Sequence, residues 1–412
     1  ARMLACPGGT RYAQLPMILE FSVENFGSIR EEVVLSFEPD LGIEDGTDWP
    51  LGARTVLPVV ALFGANGAGK STLIRALSVL RAIVVSERIA EEDIECTPHK
   101  LDASYAQRPT ILQIRVAHLG DEFHYRVSVV GGAIVEETLT QGGAPTTEDA
   151  SVVLRRTAGE TIEVGPEADV ELLRKRLHRT ISLVRVAATQ NHRAAHALVS
   201  ALFRIFVTLE PRGDSLKSVE RRVATLPLST QLHPFVTSAD VGISNIFLSG
   251  DSLRLTHRGA DASTVDFPIE EESAGTQMLL RWSPIVASTL AHGGLFAADE
   301  LGAHLHHWML RDLLETFQNP ATNPRGAQLL VTTHDPLFFD TTLLRTDEMV
   351  LVEKNPEGAT RLVAVSDFTD LPEDEPLVRS YLTGALGGIP RAKGLWAHLS
   401  PAAGGPTQTG DL

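Results

Sequence analysis

Gly64-Ala65-Asn66-Gly67-Ala68-Gly69-Lys70-Ser71 matches the spacing G-x-x-x-x-G-K-[ST], a pattern suited to holding a chain of phosphates. Its glycines let successive backbone N–H groups converge on phosphate oxygens at a helix N-terminus. Lys70 supplies a cation for the outer phosphates, and the Ser71 hydroxyl is an oxygen ligand suited to Mg²⁺. Gly64, Asn66, Gly67, Ala68, Gly69, Lys70, Ser71 and Thr72 are therefore the residues expected to contact ATP. Both flanks agree: the apolar run Val56 to Phe63 reads as a buried parallel strand, and Thr72-Leu73-Ile74-Arg75-Ala76-Leu77 has helical spacing. A glycine-rich turn alone would explain the loop but not these flanks.

A second set of residues supplies the reactive groups. Gly293-Gly294-Leu295-Phe296-Ala297-Ala298-Asp299-Glu300 reads as a short apolar strand ending in two carboxylates, the form of a Walker B strand. Asp299 is expected to hold Mg²⁺ beside Ser71, and Glu300 to polarise the attacking water, because hydrolysis needs a base next to the metal and not on it. A helix N-cap would account for an isolated Asp-Glu pair, but Gln328-Leu329-Leu330-Val331-Thr332-Thr333-His334-Asp335 follows as another buried strand. Its exit puts His334 on the carboxyl edge where ligands of such sheets bind, within reach of a γ-phosphate. Lys70, Glu300 and His334 are the expected catalytic residues.

The elements holding these residues need a chain of some size, and 412 residues suffice for one large α/β core with an inserted or appended lobe. Two cysteines, Cys6 and Cys96, make no disulfide framework, so a cytoplasmic location is expected. No apolar run reaches the roughly 18 residues that span a bilayer, and no membrane association is expected. A net charge of −16 opposes broad coating of nucleic acid and leaves only a local contact open. One candidate is Arg174-Lys175-Arg176-Leu177-His178-Arg179, although the acidic Glu167, Asp169 and Glu171 just before it favour a solvated helix face.

Together the motifs resemble those of ABC-type ATPases. Glu272-Ser273-Ala274-Gly275-Thr276-Gln277 is similar to their signature segment, Leu301-Gly302-Ala303-His304-Leu305-His306 occupies the place of the D-loop, and His334 that of the switch histidine. The resemblance implies a homodimer, or a higher oligomer, with two ATPs sandwiched head to tail. Ser273, Gly275 and Gln277 would then act in trans, and Ala303 and His304 would communicate across the subunits. The fold implied is an α/β P-loop NTPase of the ABC-ATPase head type, mixed sheets flanked by helices with an inserted helical lid or arm. More narrowly, Phe21 to Phe26, Ser238 to Ile243, Glu353-Lys354 and Ser380 to Gly384 resemble bacterial AAA family ATPases of abortive-infection and other anti-phage systems, distant relatives of the RecF, SMC and OLD heads.

That resemblance implies a slow ATPase, dependent on dimerisation or a partner, using ATP and Mg²⁺ as the sensor or regulatory subunit that controls a separate nuclease or toxin. The alternatives are a RecF-like DNA repair or recombination clamp and a nucleotide-locked scaffold with negligible turnover. Departures are also present: His304 stands where relatives carry Ser, His307 where Pro is usual, and Ala274 and Thr276 where transporter domains favour glycine. Gln107 and Gln113 both suit a Q-loop, and neither is assigned. The trio His304, His306 and His307 reads as a loop and helix start and not as a metal site. The span from Lys70 to Asp299 lacks sustained heptads, which argues against a long coiled-coil tether. No D-x-D pair follows His334, which argues against an appended Toprim nuclease.

The expected organisation is a disordered leader over 1–16, with Met17 as the true start, and the first half of the ATPase domain over 17–135. A mostly helical lid or arm covers 136–237, where Leu172 to Leu183 and Ala194 to Phe206 have helical spacing. The second half of the domain occupies 238–368, a helical extension 369–399 and a flexible tail 400–412.

Overall fold

The computed structural model describes residues 15–40, 48–51, 54–87, 94–142, 150–157, 162–165, 169–209, 220, 223, 232–239, 242–250, 252–302, 305–369, 371 and 376–388. A six-stranded sheet runs from edge to edge through Ile205–Thr208 (β11), Leu295–Ala298 (β15), Gln328–Thr333 (β16), Val59–Phe63 (β5), Met349–Lys354 (β17) and Thr360–Ala364 (β18). All neighbours are parallel except β17 and β18. The apolar runs read as buried strands are buried because both faces of this sheet are covered. Along β5, Val60 and Leu62 enter one core while Val59, Ala61 and Phe63 enter another, as the two-residue period of a strand requires. The run from Val56 divides at Pro58: Arg54–Val56 (β4) pairs instead with Trp49–Leu51 (β3).

The second sheet is antiparallel, in the order Ile162–Val164 (β10), Ser151–Arg156 (β9), Ala133–Gln141 (β8), Asp121–Val130 (β7), Thr110–His118 (β6), Met17–Glu24 (β1) and Val33–Ser36 (β2). Helix α1 (Lys70–Val85) shares the first core with both large sheets: its Leu73, Leu77 and Leu80 cluster with Leu112, Tyr125 and Leu139 on one side and Leu295 and Leu330 on the other. Gln328, fully buried, ties the sheets together through its amide, which accepts from Ile18 N at 2.7 Å and donates to Ile18 O at 2.9 Å.

Among its described residues, the segment 136–237, expected to be a mostly helical lid or arm, carries strands as well as helices. Its first part completes β8 and forms β9 and β10, because Leu139, Leu154 and Ile162 enter the first core. The helices Val170–Arg176 (α2), Leu183–Ala188 (α3) and Arg193–Phe203 (α4) come next. The helical run expected over Leu172 to Leu183 breaks at Leu177, which is extended, and that over Ala194 to Phe206 stops at Arg204, where the β-favouring residues Ile205 to Thr208 enter β11. Rather than standing out as an arm, α3 and α4 pack into the core with Leu183, Val184, Leu198 and Leu202. Glu137, 2 % exposed, fastens α3 to the sheet by accepting from Ser182 Oγ at 2.5 Å, Leu183 N at 2.7 Å and Val184 N at 3.0 Å.

On the far face of the six-stranded sheet lie Ala274–His292 (α6), His307–Gln318 (α7) and Leu377–Thr383 (α8), which contribute Trp282, Leu310, Leu314 and Tyr381 to the second core. A third cluster joins His233–Ser238 (α5) to a small sheet of Ile243–Ser249 (β12), Ser252–Arg258 (β13) and Thr264–Pro268 (β14). Cys96 is a half-buried free thiol whose pKa burial pushes up to about 12. No described helix is long and apolar enough to cross a membrane. Cys6, the leader up to residue 14, the acidic Glu167, the stretch from 389 and the tail 400–412 lie outside the described residues.

Candidate nucleotide site

The loop Gly64–Gly69 joins β5 to α1, whose first residue is Lys70. Gly64 has φ +153°, and a Cβ there would lie 2.3 Å from Val352 O, so the loop leaves the sheet hard against β17. Gly69 has φ +119°, and its Cβ would lie 2.2 Å from Thr360 Oγ1. Both positions demand glycine on conformational and steric grounds. Lys70 Nζ donates to Gly64 O at 2.5 Å and Ala65 O at 3.1 Å, folding the ammonium back over the loop. Burial lowers its pKa, while the negative charges of Asp299 and Glu300 pull it back up. Gly64, Ala68, Gly69 and Lys70 are buried, Asn66 and Gly67 form the exposed tip, and Ser71 and Thr72 are half-buried.

Strand β16 lies between β5 and β15, and this order brings the two carboxylates to the loop. Asp299 follows β15, is buried, and receives a hydrogen bond from Thr332 Oγ1 at 2.6 Å. The same hydroxyl accepts from Glu300 N at 2.7 Å. Leu301 N donates to Thr332 O and Asp299 N to Thr208 O, so neighbouring strands hold the turn on both sides. Glu300 sits at φ +53°, in the left-handed region uncommon for a non-glycine residue. His334 follows β16 directly and is exposed on the same carboxyl edge. Beyond it, Asp335 caps the short turn Pro336–Phe338 through Leu337 N at 2.9 Å and lies 3.5 Å from His307 Nδ1.

Several residues around the loop carry no motif. The Ser28 hydroxyl lies 2.8 Å from Thr360 Oγ1 and 3.3 Å from Thr72 Oγ1, and Thr360 Oγ1 donates to Ala68 O at 2.8 Å. Behind the loop, Glu353 accepts from Gly388 N at 2.7 Å, while Tyr381 stacks on Phe339, whose ring meets Phe63 edge-on at 4.9 Å. Ser28 stands in the Asn-Phe-Gly-Ser turn after β1, where Asn25 has φ +54° and its buried amide is bonded to Arg108 O and His99 N. No spacing rule connects that turn to Thr360.

The signature residues form a separate place. Ser273 is the exposed N-cap of α6 and accepts from Thr276 N at 3.1 Å, Gly275 lies in the first turn, and Gln277 Nε2 donates to Glu272 O. Glu272 pairs with His257 Nε2 at 2.8 Å, anchoring this end of α6 to the small sheet. No hydrogen bond among the described residues links Glu272–Gln277 to the phosphate loop of the same chain. Ala303 and His304 lie outside the described residues; His306 caps α7 by accepting from Trp308 N. Gln113 is engaged by Ser22 and Glu32, Gln107 is exposed, and Arg174 and Arg176 are exposed on α2.

A parallel sheet with a phosphate loop after its central strand and a strand inserted before the carboxylate pair defines a P-loop ATPase fold of the AAA and ABC-like class. The chain belongs to the family described as "AAA domain, putative AbiEii toxin, Type IV TA system", whose model matches residues 59–340. Among solved structures, the SMC head domain from Thermotoga maritima is 13 % identical, with 84 % of this chain and 98 % of that chain covered at a TM-score of 0.43. The Smc head domain with a coiled coil and joint from Pyrococcus yayanosii is 12 % identical, with 90 % and 100 % covered and a TM-score of 0.48. No curated protein matches this chain.

Proposed function

We propose that this chain binds and hydrolyses ATP and uses the cycle to signal to a separate effector. The observation that carries the reading is Thr332, whose one hydroxyl orients Asp299 and fixes the backbone of Glu300 next to the electrostatic reach of Lys70. Ser71 and Asp299 offer a hydroxyl and a carboxylate, an all-oxygen donor set that fits Mg²⁺. With two protein ligands at most from this pair, the cation would be held jointly with substrate phosphates. When bound, Mg²⁺ supplies charge neutralisation for the triphosphate.

The protein's own groups then divide the work. Backbone N–H groups from Gly67 to Ser71 hold phosphate oxygens at the start of α1, and Lys70 leaves the Gly64 and Ala65 carbonyls to meet the outer phosphates. Glu300 takes a proton from the attacking water, and His334 donates to the γ-phosphate. The exposed N-terminus of α6, with Ser273, Gly275 and Gln277, closes on the nucleotide of a second copy, since it lies apart from the loop of its own chain. Such a dimer needs Ala303 and His304 at its crossing point, and the protein works in the cytoplasm. The family's description names a putative toxin of a type IV toxin–antitoxin system, which supports a place in a toxic defence module; in the reading proposed here this subunit senses infection and restrains or releases a toxic partner.

Glu300→Gln and Lys70→Ala test the chemistry. The first should retain ATP and lose about a hundredfold in turnover, and the second should lose nucleotide binding in a fluorescent-ATP titration. Ordinary turnover in Glu300→Gln would remove Glu300 as the base. For the biological role, tagged Glu300→Gln protein captured from its host with ATP and Mg²⁺ should bring down a nuclease, a toxin or a phage protein. Recombination proteins and nuclease-sensitive DNA in its place would overturn the defence reading.

A further inference from the structure

At the amino edge of the six-stranded sheet, opposite the nucleotide site, an open groove of about 490 Å³ runs between α3, α4 and the last turn of α6. That volume lies in the range of binding clefts. Its apolar surface centres on Phe203 and Phe206, and Phe203 is 63 % exposed on the last turn of α4. Around these rings stand Arg185, His196, Arg204 and His292, and no Asp or Glu is among the described residues that line it. In a chain with 52 acidic and 36 basic residues, a lining with two arginines and no acid departs from the overall charge balance, the nearest carboxylate being that of Glu87, which pairs with Arg185.

The arginines are set for an incoming carboxylate. Arg185 Nη2 meets Glu87 at 2.8 Å, but that carboxylate is 78 % exposed and held only weakly against solvent. Arg204 Nη1 donates to His292 O at 2.6 Å, which fixes the two walls relative to each other and leaves the remainder of its guanidinium for a ligand.

We propose that this groove docks an acidic peptide segment of a partner protein, with an aromatic or large aliphatic side chain seated on Phe203 and Phe206 and carboxylates on Arg185 and Arg204. Its position also gives the occupant a route to the chemistry. Arg204 leads straight into β11, whose Thr208 carbonyl holds Asp299 N, and His292 ends the helix that Ser273 begins.

Fluorescence anisotropy on the nucleotide-free full chain tests the docking independently of the ATPase reading. The probe is a short fluorescein-labelled peptide of Asp and Glu around a single Phe, with one control in which Lys replaces every acid and another in which Ser replaces Phe. Saturable binding of the probe is expected, weakened at least about tenfold in either control and at raised salt. Phe203→Ser and Arg185→Ser should each lower affinity about tenfold, and His196→Glu, at an exposed position, should do so without disturbing the core. Absence of saturable binding, equal binding of either control, or unchanged affinity in both Phe203→Ser and His196→Glu overturns the proposal.

Discussion

Thr332, buried near the end of β16, holds both carboxylate residues of the site in place. Its hydroxyl donates to Asp299 and accepts from Glu300 N, so Thr332→Val, nearly equal in shape, removes both contacts at once. We expect a loss of about 1–3 kcal/mol in stability, from the unsatisfied buried groups, and a larger fall in kcat than in ATP affinity. Steady-state kinetics beside chemical denaturation would separate the two effects. Glu348 is a residue of a different kind. It is fully buried at the head of β17, where burial above all pushes its pKa up to about 8, with Asp347 adding to this and the Arg345 backbone N–H opposing it.

The linkage has a definite sign. Because the folded pKa of Glu348 lies above its ordinary value of 4.5, the folded chain keeps a proton that the unfolded chain releases. Stability is therefore fullest below pH 4.5 and is lost as pH rises to about 8, at no more than about 1.4 kcal/mol per pH unit for this group. Glu348→Gln mimics the protonated form and should flatten the stability profile between these limits. Thermal melts of both proteins from pH 5 to pH 8 check this, and parallel profiles would exclude Glu348 as the source.

At the scale of elements, the phosphate loop is held from outside itself. Ser28 comes from the turn after β1 and Thr360 from the start of β18, and both meet the loop and the beginning of α1. Gly69→Ala would place a Cβ 2.2 Å from Thr360 Oγ1 at a positive φ, so the loop must shift. Nucleotide binding should be lost, with about 1–3 kcal/mol of stability. Removing the obstacle in the double variant Gly69→Ala/Thr360→Ala, which takes away both Oγ1 and Cγ2, should recover little, because the φ strain remains; full recovery would show that contact alone mattered. Helix α6 carries Pro284 in its interior, which removes the N–H that would reach Leu280 O. Ser283 Oγ donates to that carbonyl at 3.3 Å, so the helix runs on from the signature end to Gly293.

At the scale of the whole molecule, the two large sheets share one core and one buried stitch. Gln328→Leu would leave Ile18 N and O without their partner, and a loss of about 2–4 kcal/mol is expected from two orphaned backbone groups. If the sheets are one cooperative unit, melting followed by far-ultraviolet dichroism and by tryptophan fluorescence should fall together; two separated transitions would show that they unfold independently. The proposed ATP-closed pair belongs to this scale too: Glu300→Gln with ATP and Mg²⁺ should double in mass by light scattering, and Ser273→Arg should prevent it.

The sequence by itself determined the nucleotide loop, the strand and helix that flank it, the carboxylate pair and the strand before His334. Those features depend on near neighbours: a glycine-rich turn needs its own φ angles, and a strand buried on both faces must be apolar throughout. Tertiary structure decided what surrounds them. Only the strand order puts β16 between β5 and β15 and so gives Thr332 its two partners. Only folding brings Ser28, Thr360 and Gly388 to a loop hundreds of residues away in places. Leu172 to Leu183 and Ala194 to Phe206 have helical spacing, but whether such helices form an arm or join the core is not in the spacing, because amphipathic periodicity reports that a face is buried and not what buries it. Glu137 and the first core supplied that answer.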